Sequence, residues 1–153
     1  MKKLTILLLL LPMFSLAQIV NDYTSYNKVD YKELINMLKP DINVEGVTIY
    51  ISDLSLTNKH IGNTALVERL NDSVFNIVME RVPKYIKVRV IIHELVHIRQ
   101  MLDNRLKTGS NYAYFDGILY TEFPDRNILP YEIEAQNQTE KLYYKYRKEI
   151  KKL

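Results

Sequence analysis

The chain has 153 residues with no cysteine and no tryptophan, and its 21 basic and 18 acidic side chains give a formal charge of +3. Without cysteine there is no disulfide scaffold, thiolate metal site, cysteine nucleophile or lipid-modified cysteine, so any chemistry must come from oxygen and imidazole groups. A charge this close to neutral leaves no electrostatic footprint for nucleic acid.

Met1-Lys2-Lys3, the apolar run from Leu4 to Leu11 and the small-residue ending Ser15-Leu16-Ala17 follow the layout of a secretory signal peptide over residues 1–17. Cleavage after Ala17 would leave Gln18 first, in an exported protein, periplasmic or secreted. The apolar run is too short to stay in a bilayer as a helix, so no stable membrane insertion is expected after cleavage. Residues 18–153 then form a single domain of 136 residues, with 19 basic and 18 acidic side chains and a charge of +1.

Within that domain, Gln18 to Lys28 reads as a loosely held polar arm. Asp30 can cap a helix from Tyr31 to Leu38 that Pro40 stops. Val44 to Ile51 is β-branched and aromatic and reads as a strand. His60 falls in a polar loop, as a surface residue. Ala65–Leu70 and Ser73–Arg81 form a hairpin around Asn71-Asp72, with Phe75, Ile77 and Met79 alternating against Val74, Asn76 and Val78. Pro83 opens a long helix to about Lys107, with Gly109 as its stop. Tyr112 to Phe123 is a second small hairpin turning at Asp116-Gly117. Asp125 to Leu129 is a loop, and Pro130 starts a last helix to Lys151. The basic residues near its end read as a solvated face that complements the helix dipole.

The long helix contains His93-Glu94-Leu95-Val96-His97. Histidines at i and i+4 share a face, so both imidazoles reach one tetrahedral ion, while Glu94, about 100° round the helix, can act on a water at that ion. Zinc needs a third protein ligand to leave one position open. Asp103 is rejected, because an unbroken helix turns it away from the histidine face and carries it about 9 Å along the axis. Pro130-Tyr131-Glu132-Ile133-Glu134-Ala135-Gln136 offers two glutamates about 200° apart, of which one can face the metal. Glu132 is favoured, since Gln136 shares its face and could hydrogen-bond a metal-bound histidine. Ala135 lets the two helices approach closely, and Glu134 would point outward.

These residues resemble the gluzincin branch of the zinc-dependent metallopeptidases: a His-Glu-x-x-His helix, then a glutamate 35 residues after the second histidine. More closely, His93 to Gln100, Tyr114-Phe115-Asp116-Gly117 with Tyr120, and Leu129 to Ala135 are similar to a group of small bacterial and phage proteins placed among the metallopeptidases. The resemblance spans about Thr64 to Tyr146 and departs from the usual pattern only among aromatics, at Phe115 and Tyr131. It implies an α+β, zincin-like fold: a small mixed sheet whose edge strand lines the cleft, the motif helix beneath it, and a C-terminal glutamate helix alongside.

The expected function is a secreted zinc metallopeptidase acting on a peptide or protein substrate. His93, His97 and Glu132 would hold Zn²⁺, and Glu94 would be the general base toward a zinc-activated water. Tyr131, Tyr114, Tyr120 and Arg99 are candidate donors to the carbonyl oxygen, and Ser73–Arg81 is the candidate edge for an extended peptide. With no room for a second lobe, the site should be shallow and open. Two alternatives differ in class: a catalytically silent, zinc-stabilised binding module, and a domain whose histidines are structural. Oligomeric state has no signal in the sequence.

Overall fold

Thr48–Asp53 is the β-branched run on which the first sheet is assembled. A computed structural model of the protein describes residues 19–23, 29–53, 65–122 and 125–153. In it this strand, β2, pairs in parallel with β1 (Ile19–Tyr23) and with β4 (Val74–Met79). β3 (Ala65–Asn71) runs antiparallel to β4, so the order is β1-β2-β4-β3. The expected N-terminal arm is thus partly a strand: Ile19 to Tyr23 take their backbone partners from β2. β2 itself starts at Thr48 rather than Val44, because Gly46 at φ 76° turns the chain just before it. The leader residues 1–17 and His60 lie outside the described residues.

A parallel pair needs a crossover between its strands. Between β1 and β2 this is α1 (Tyr31–Leu38), where Asp30 accepts a hydrogen bond from the Glu33 amide at 2.9 Å, as its position before the apolar face predicts. Tyr31, Leu34, Ile35 and Leu38 are all buried. The cap satisfies an otherwise orphaned helix donor, so Asp30→Ala is expected to cost about 1 kcal/mol, read as a lower urea midpoint with unchanged m-value.

The β3–β4 hairpin forms where expected, and the alternation along β4 is the predicted one. Phe75, Ile77 and Met79 are buried while Val74, Asn76 and Val78 are half-buried. Register places Ile49 beside Phe75 and Ile51 beside Ile77, giving the sheet one continuous apolar face. Against it pack α1 and α2 (Lys84–Leu102), the latter through Val88, Ile91, Ile92 and Leu95. β4 is interior to the sheet, so the proposed edge at Ser73–Arg81 is corrected: among the described residues β3 is the outer strand on that side.

α2 ends five residues before the predicted Lys107. Asn104 takes φ 57°, the Asn104 amide donates to the Met101 carbonyl at 3.1 Å and the Arg105 amide to that of Gln100 at 2.9 Å. This is a Schellman cap with asparagine in the left-handed position usually given to glycine. Gly109 is therefore not the helix stop.

Leu106 to Thr108, expected to be helix or its end, is instead β5. It joins β6 (Ala113–Phe115) and β7 (Ile118–Tyr120) in a three-stranded antiparallel sheet. The β6–β7 turn is Asp116-Gly117, with φ of 47° and 89°, a type I′ geometry. After a 3-10 turn at Arg126–Ile128, α3 (Pro130–Lys145) packs on α2 with Ala135 fully buried. The last helix breaks at Tyr146 and resumes for one turn as α4 (Arg147–Ile150), so it is not continuous to Lys151. Tyr146 and Lys145 both hydrogen-bond Asp41, at 2.6 Å and 2.7 Å, tying the chain's end to the loop after α1. The fold class is α+β, with two small sheets and one core cluster shared by both among the described residues. Among the described residues, no helix is long and apolar enough to cross a membrane.

Candidate metal centre

His93 and His97 project from one face of α2, and the first turn of α3 brings Glu132 against them. His93 Nε2 lies 3.0 Å from His97 Nε2 and 3.0 Å from Glu132 Oε2, and His97 Nε2 lies 3.3 Å from the same oxygen. These three side chains form a group whose ligand atoms are close enough to hold one metal ion. The pairing depends on two features legible in the sequence, the i, i+4 spacing and the close helix approach at Ala135.

The donor set is compatible with a cation. His97 Nδ1 is 2.8 Å from Gln100 Oε1, an acceptor, so Nδ1 carries a proton and donates. In the neutral ring the inward Nε2 is then a lone pair. It faces a second imidazole nitrogen and a carboxylate, an arrangement that requires a proton or a metal ion between them. Burial alone would lower the His97 pKa, but the hydrogen bond to Glu132 and the charges of Glu94 and Glu132 raise it. Burial pushes the Glu132 carboxyl up, yet the hydrogen bonds from His93 and His97 hold it well below the usual range.

Glu94 is buried, with 6 % of its surface exposed, and lines the cleft beside the two histidines. Burial raises its carboxyl above the ordinary range and Glu132 adds to this, against the opposing pull of His97 and His93. The cleft has a volume of about 840 Å³, within the span of about 300–1,000 Å³ usual for ligand sites. One wall is the start of β3, at Ala65, Leu66 and Val67, whose strand is an edge of the sheet. At the other end Arg89, one turn before His93, pairs with Glu140 and lies 4.2 Å over the Tyr143 ring.

Several neighbours differ from expectation. Gln136 does not reach a histidine; its amide donates to Glu140 at 3.3 Å, and the partner of His97 is Gln100. Glu134 does not point outward as a free carboxylate but receives both terminal nitrogens of Arg105, at 2.9 Å and 2.8 Å. Asp103, rejected as a ligand, is bound to Arg99, though the helix ends beside it rather than running past it. Arg99 is thereby taken up, with a further bond to the Asn43 carbonyl at 2.9 Å. Of the four candidate donors only Tyr131 lines the cleft, its ring 6.0 Å from that of His97. Tyr112, in the β5–β6 loop, lines it too and was not singled out by any motif. Gly109 serves this loop: a Cβ there would fall 2.3 Å from the Tyr112 ring.

Comparison with family models, curated proteins and solved structures gives no match.

Proposed function

We propose that the chain is an exported zinc metallopeptidase of gluzincin type. The observation that carries this reading is the convergence of His93, His97 and Glu132 beside the buried Glu94, in a cleft walled by an edge strand. Two imidazoles and one carboxylate favour zinc over the oxygen-seeking calcium and magnesium. Zinc about 2.0–2.1 Å from each donor spaces them about 3.3–3.4 Å apart, and the observed 3.0 to 3.3 Å stands within a few tenths of an ångström of that. A mixed sheet with an antiparallel edge strand, a His-Glu-x-x-His helix beneath it and a glutamate helix alongside agree with the zincin-like arrangement that the resemblance implies.

When bound, zinc supplies a polarised carbonyl and a water whose pKa is drawn toward neutrality. The chain's own groups do the rest. Glu94, in a dry wall and with a raised pKa, accepts the proton of the attacking water and delivers it to the leaving amine nitrogen. The outer edge of β3 offers backbone groups to an extended peptide, which would orient the scissile bond along the cleft. Tyr131 and Tyr112 are the cleft's candidate donors to the carbonyl oxygen.

The test is zinc content of the purified chain together with cleavage of a broad peptide library, with and without a chelator. One bound zinc and chelator-sensitive cleavage are expected. One bound zinc with no cleavage would replace the peptidase by a zinc-stabilised binding module, and no zinc would remove both.

A further inference from the structure

We propose that Arg89 is the carboxylate-binding group of the cleft, and that the preferred substrate carries a carboxylate about two or three residues beyond the scissile bond, on its C-terminal side. The proposal rests on the peptidase reading above and names the class of substrate.

Arg89 stands one turn before His93 on α2 and lines the same cleft. Its guanidinium is held at two places. Nη1 donates to Glu140 of α3, and the Tyr143 ring covers one face, its centroid 4.2 Å from the guanidinium carbon. Among the described residues, Nε and Nη2 have no acceptor within hydrogen-bond distance. That is the edge which the neighbouring arginines commit: Arg69 to the Asn71 carbonyl and Asp72, Arg99 to Asp103, and Arg105 to Asp116. Two parallel N–H donors in this fork match the two oxygens of one carboxylate.

Glu140 leaves that edge open. Its Oε1 takes both Arg89 Nη1 and the Gln136 amide, the latter at 3.3 Å. One arginine in this fold already serves two carboxylates: Arg105 holds Glu134 through Nη1 and Nη2 and Asp116 through Nε and Nη2. Arg89 has the first kind of partner and lacks the second. The Arg89 and Glu140 side chains are 35 % and 34 % exposed, so a ligand in the cleft can reach the pair. Stacking on Tyr143 fixes the guanidinium beforehand, which lowers the ordering cost of recognition.

The elements set direction and distance. Arg69 Nη1 donates to the Met101 carbonyl at 3.2 Å, and Ala65 pairs with Met79, just ahead of α2. β3 therefore runs in the same direction as α2, with its start toward the Arg89 end. A peptide added to the outer edge of β3 in the more stable, antiparallel sense carries its C-terminal half toward Arg89. Along α3, Glu132 and Glu140 are separated by about 12 Å at 1.5 Å per residue. Two or three extended residues cover about 7–10 Å, and a charge-assisted hydrogen bond adds about 2.8 Å. A carboxylate at that place is the peptide's own C-terminus or the side chain of an acidic residue.

For the test, a peptide cut in the broad library is remade in two series. In the first it ends two or three residues after the cut, as free acid or as C-terminal amide. In the second it continues further, with Glu or Gln at those two positions. Wild type is expected to prefer the acid over its amide, or Glu over Gln, by about 10–100-fold in kcat/KM, the range of a hydrogen bond to a charged group. An acid preference identifies release of a di- or tripeptide from a C-terminus, and a Glu preference identifies internal cleavage ahead of an acidic residue. Arg89→Gln should bring the preferred ratio to within about twofold of one. Lost packing alone would slow both members of a pair and leave their ratio standing, so a preference that survives Arg89→Gln would overturn the assignment.

Equal rates within both pairs for the wild type would overturn the carboxylate subsite while leaving the peptidase standing. That comparison needs no variant, should Arg89→Gln fail to fold. A zinc-loaded wild type that cleaves no library peptide would overturn both.

Discussion

Glu94→Gln is expected to retain one bound zinc and to lose peptide hydrolysis by about 10²–10⁴-fold, the range that a positioned general base contributes. The substitution removes the proton acceptor but none of the three converging ligand atoms, so zinc content and zinc affinity should stay close to those of wild type. Hydrolysis that survives at wild-type rate would take the base role away from Glu94. A second signature follows from its burial. The folded-state pKa is raised, chiefly by burial. A raised pKa means that the group's stabilising contribution is full below the ordinary glutamate range and lost as pH rises through the folded value. Gln is neutral throughout and escapes that loss. Zinc-free Glu94→Gln should therefore melt at a higher temperature than zinc-free wild type at pH 8, with the difference closing below about pH 4. Thermal melts across pH check this, and a lower melting temperature at pH 8 would contradict the account of Glu94 as a charge held in a dry wall. A residue that costs stability in the free protein and is indispensable to turnover is the pattern expected of a functional group.

Local patterns carried most of what could be read from the sequence. The Asp30 cap, the alternation of Phe75, Ile77 and Met79, the Asp116-Gly117 turn and the proline at the start of α3 each depend on a few adjacent residues, and each appears in the structure at its expected place. The His93–His97–Glu132 convergence was also legible, because helical spacing fixes the first two and one turn of α3 decides between the glutamates. What failed was of longer range. β4 has the composition of an exposed-edge candidate, but the pairing of β2 with it, 26 positions apart from Thr48 to Val74, makes it interior. Ile19 to Tyr23 has little strand character of its own and becomes β1 through the partner it finds. Gln100 lies within α2, and its i+3 position already places it beside His97, the role that the sequence assigns to Gln136. The end of α2 is signalled by Asp103-Asn104, a pair whose second residue tolerates the left-handed turn. Once the helix stops there, Arg105 is released to bind Glu134, and a glutamate expected to point outward is instead held in an ion pair.

Glu132→Ala should weaken zinc binding by the contribution of a whole ligand. Four-ligand structural zinc sites bind with about 10–16 kcal/mol, so one ligand of such a set corresponds to about 3–4 kcal/mol, on the order of 10²–10³-fold in Kd. This exceeds the roughly 10–100-fold expected when a partner behind a ligand is lost, and the gap separates Glu132 from Gln100. The loss should also depend on pH in a direction set by His97. In wild type, burial lowers the pKa of that imidazole, but the bond to Glu132 and the charges of Glu94 and Glu132 outweigh it, so in acid zinc must displace a proton that Glu132 helps to hold. Without Glu132 the ring gives up its proton at lower pH, and zinc meets less competition. The ratio of variant to wild-type Kd is therefore expected to be larger at pH 8 than at pH 6, because the wild-type ring takes up its proton at a higher pH than the variant's. Competition titrations at the two pH values measure it directly. Equal affinities at pH 8 would return the third ligand position to another group, whereas a ratio that grows toward pH 6 would mean that Glu132 does not govern the charge of His97.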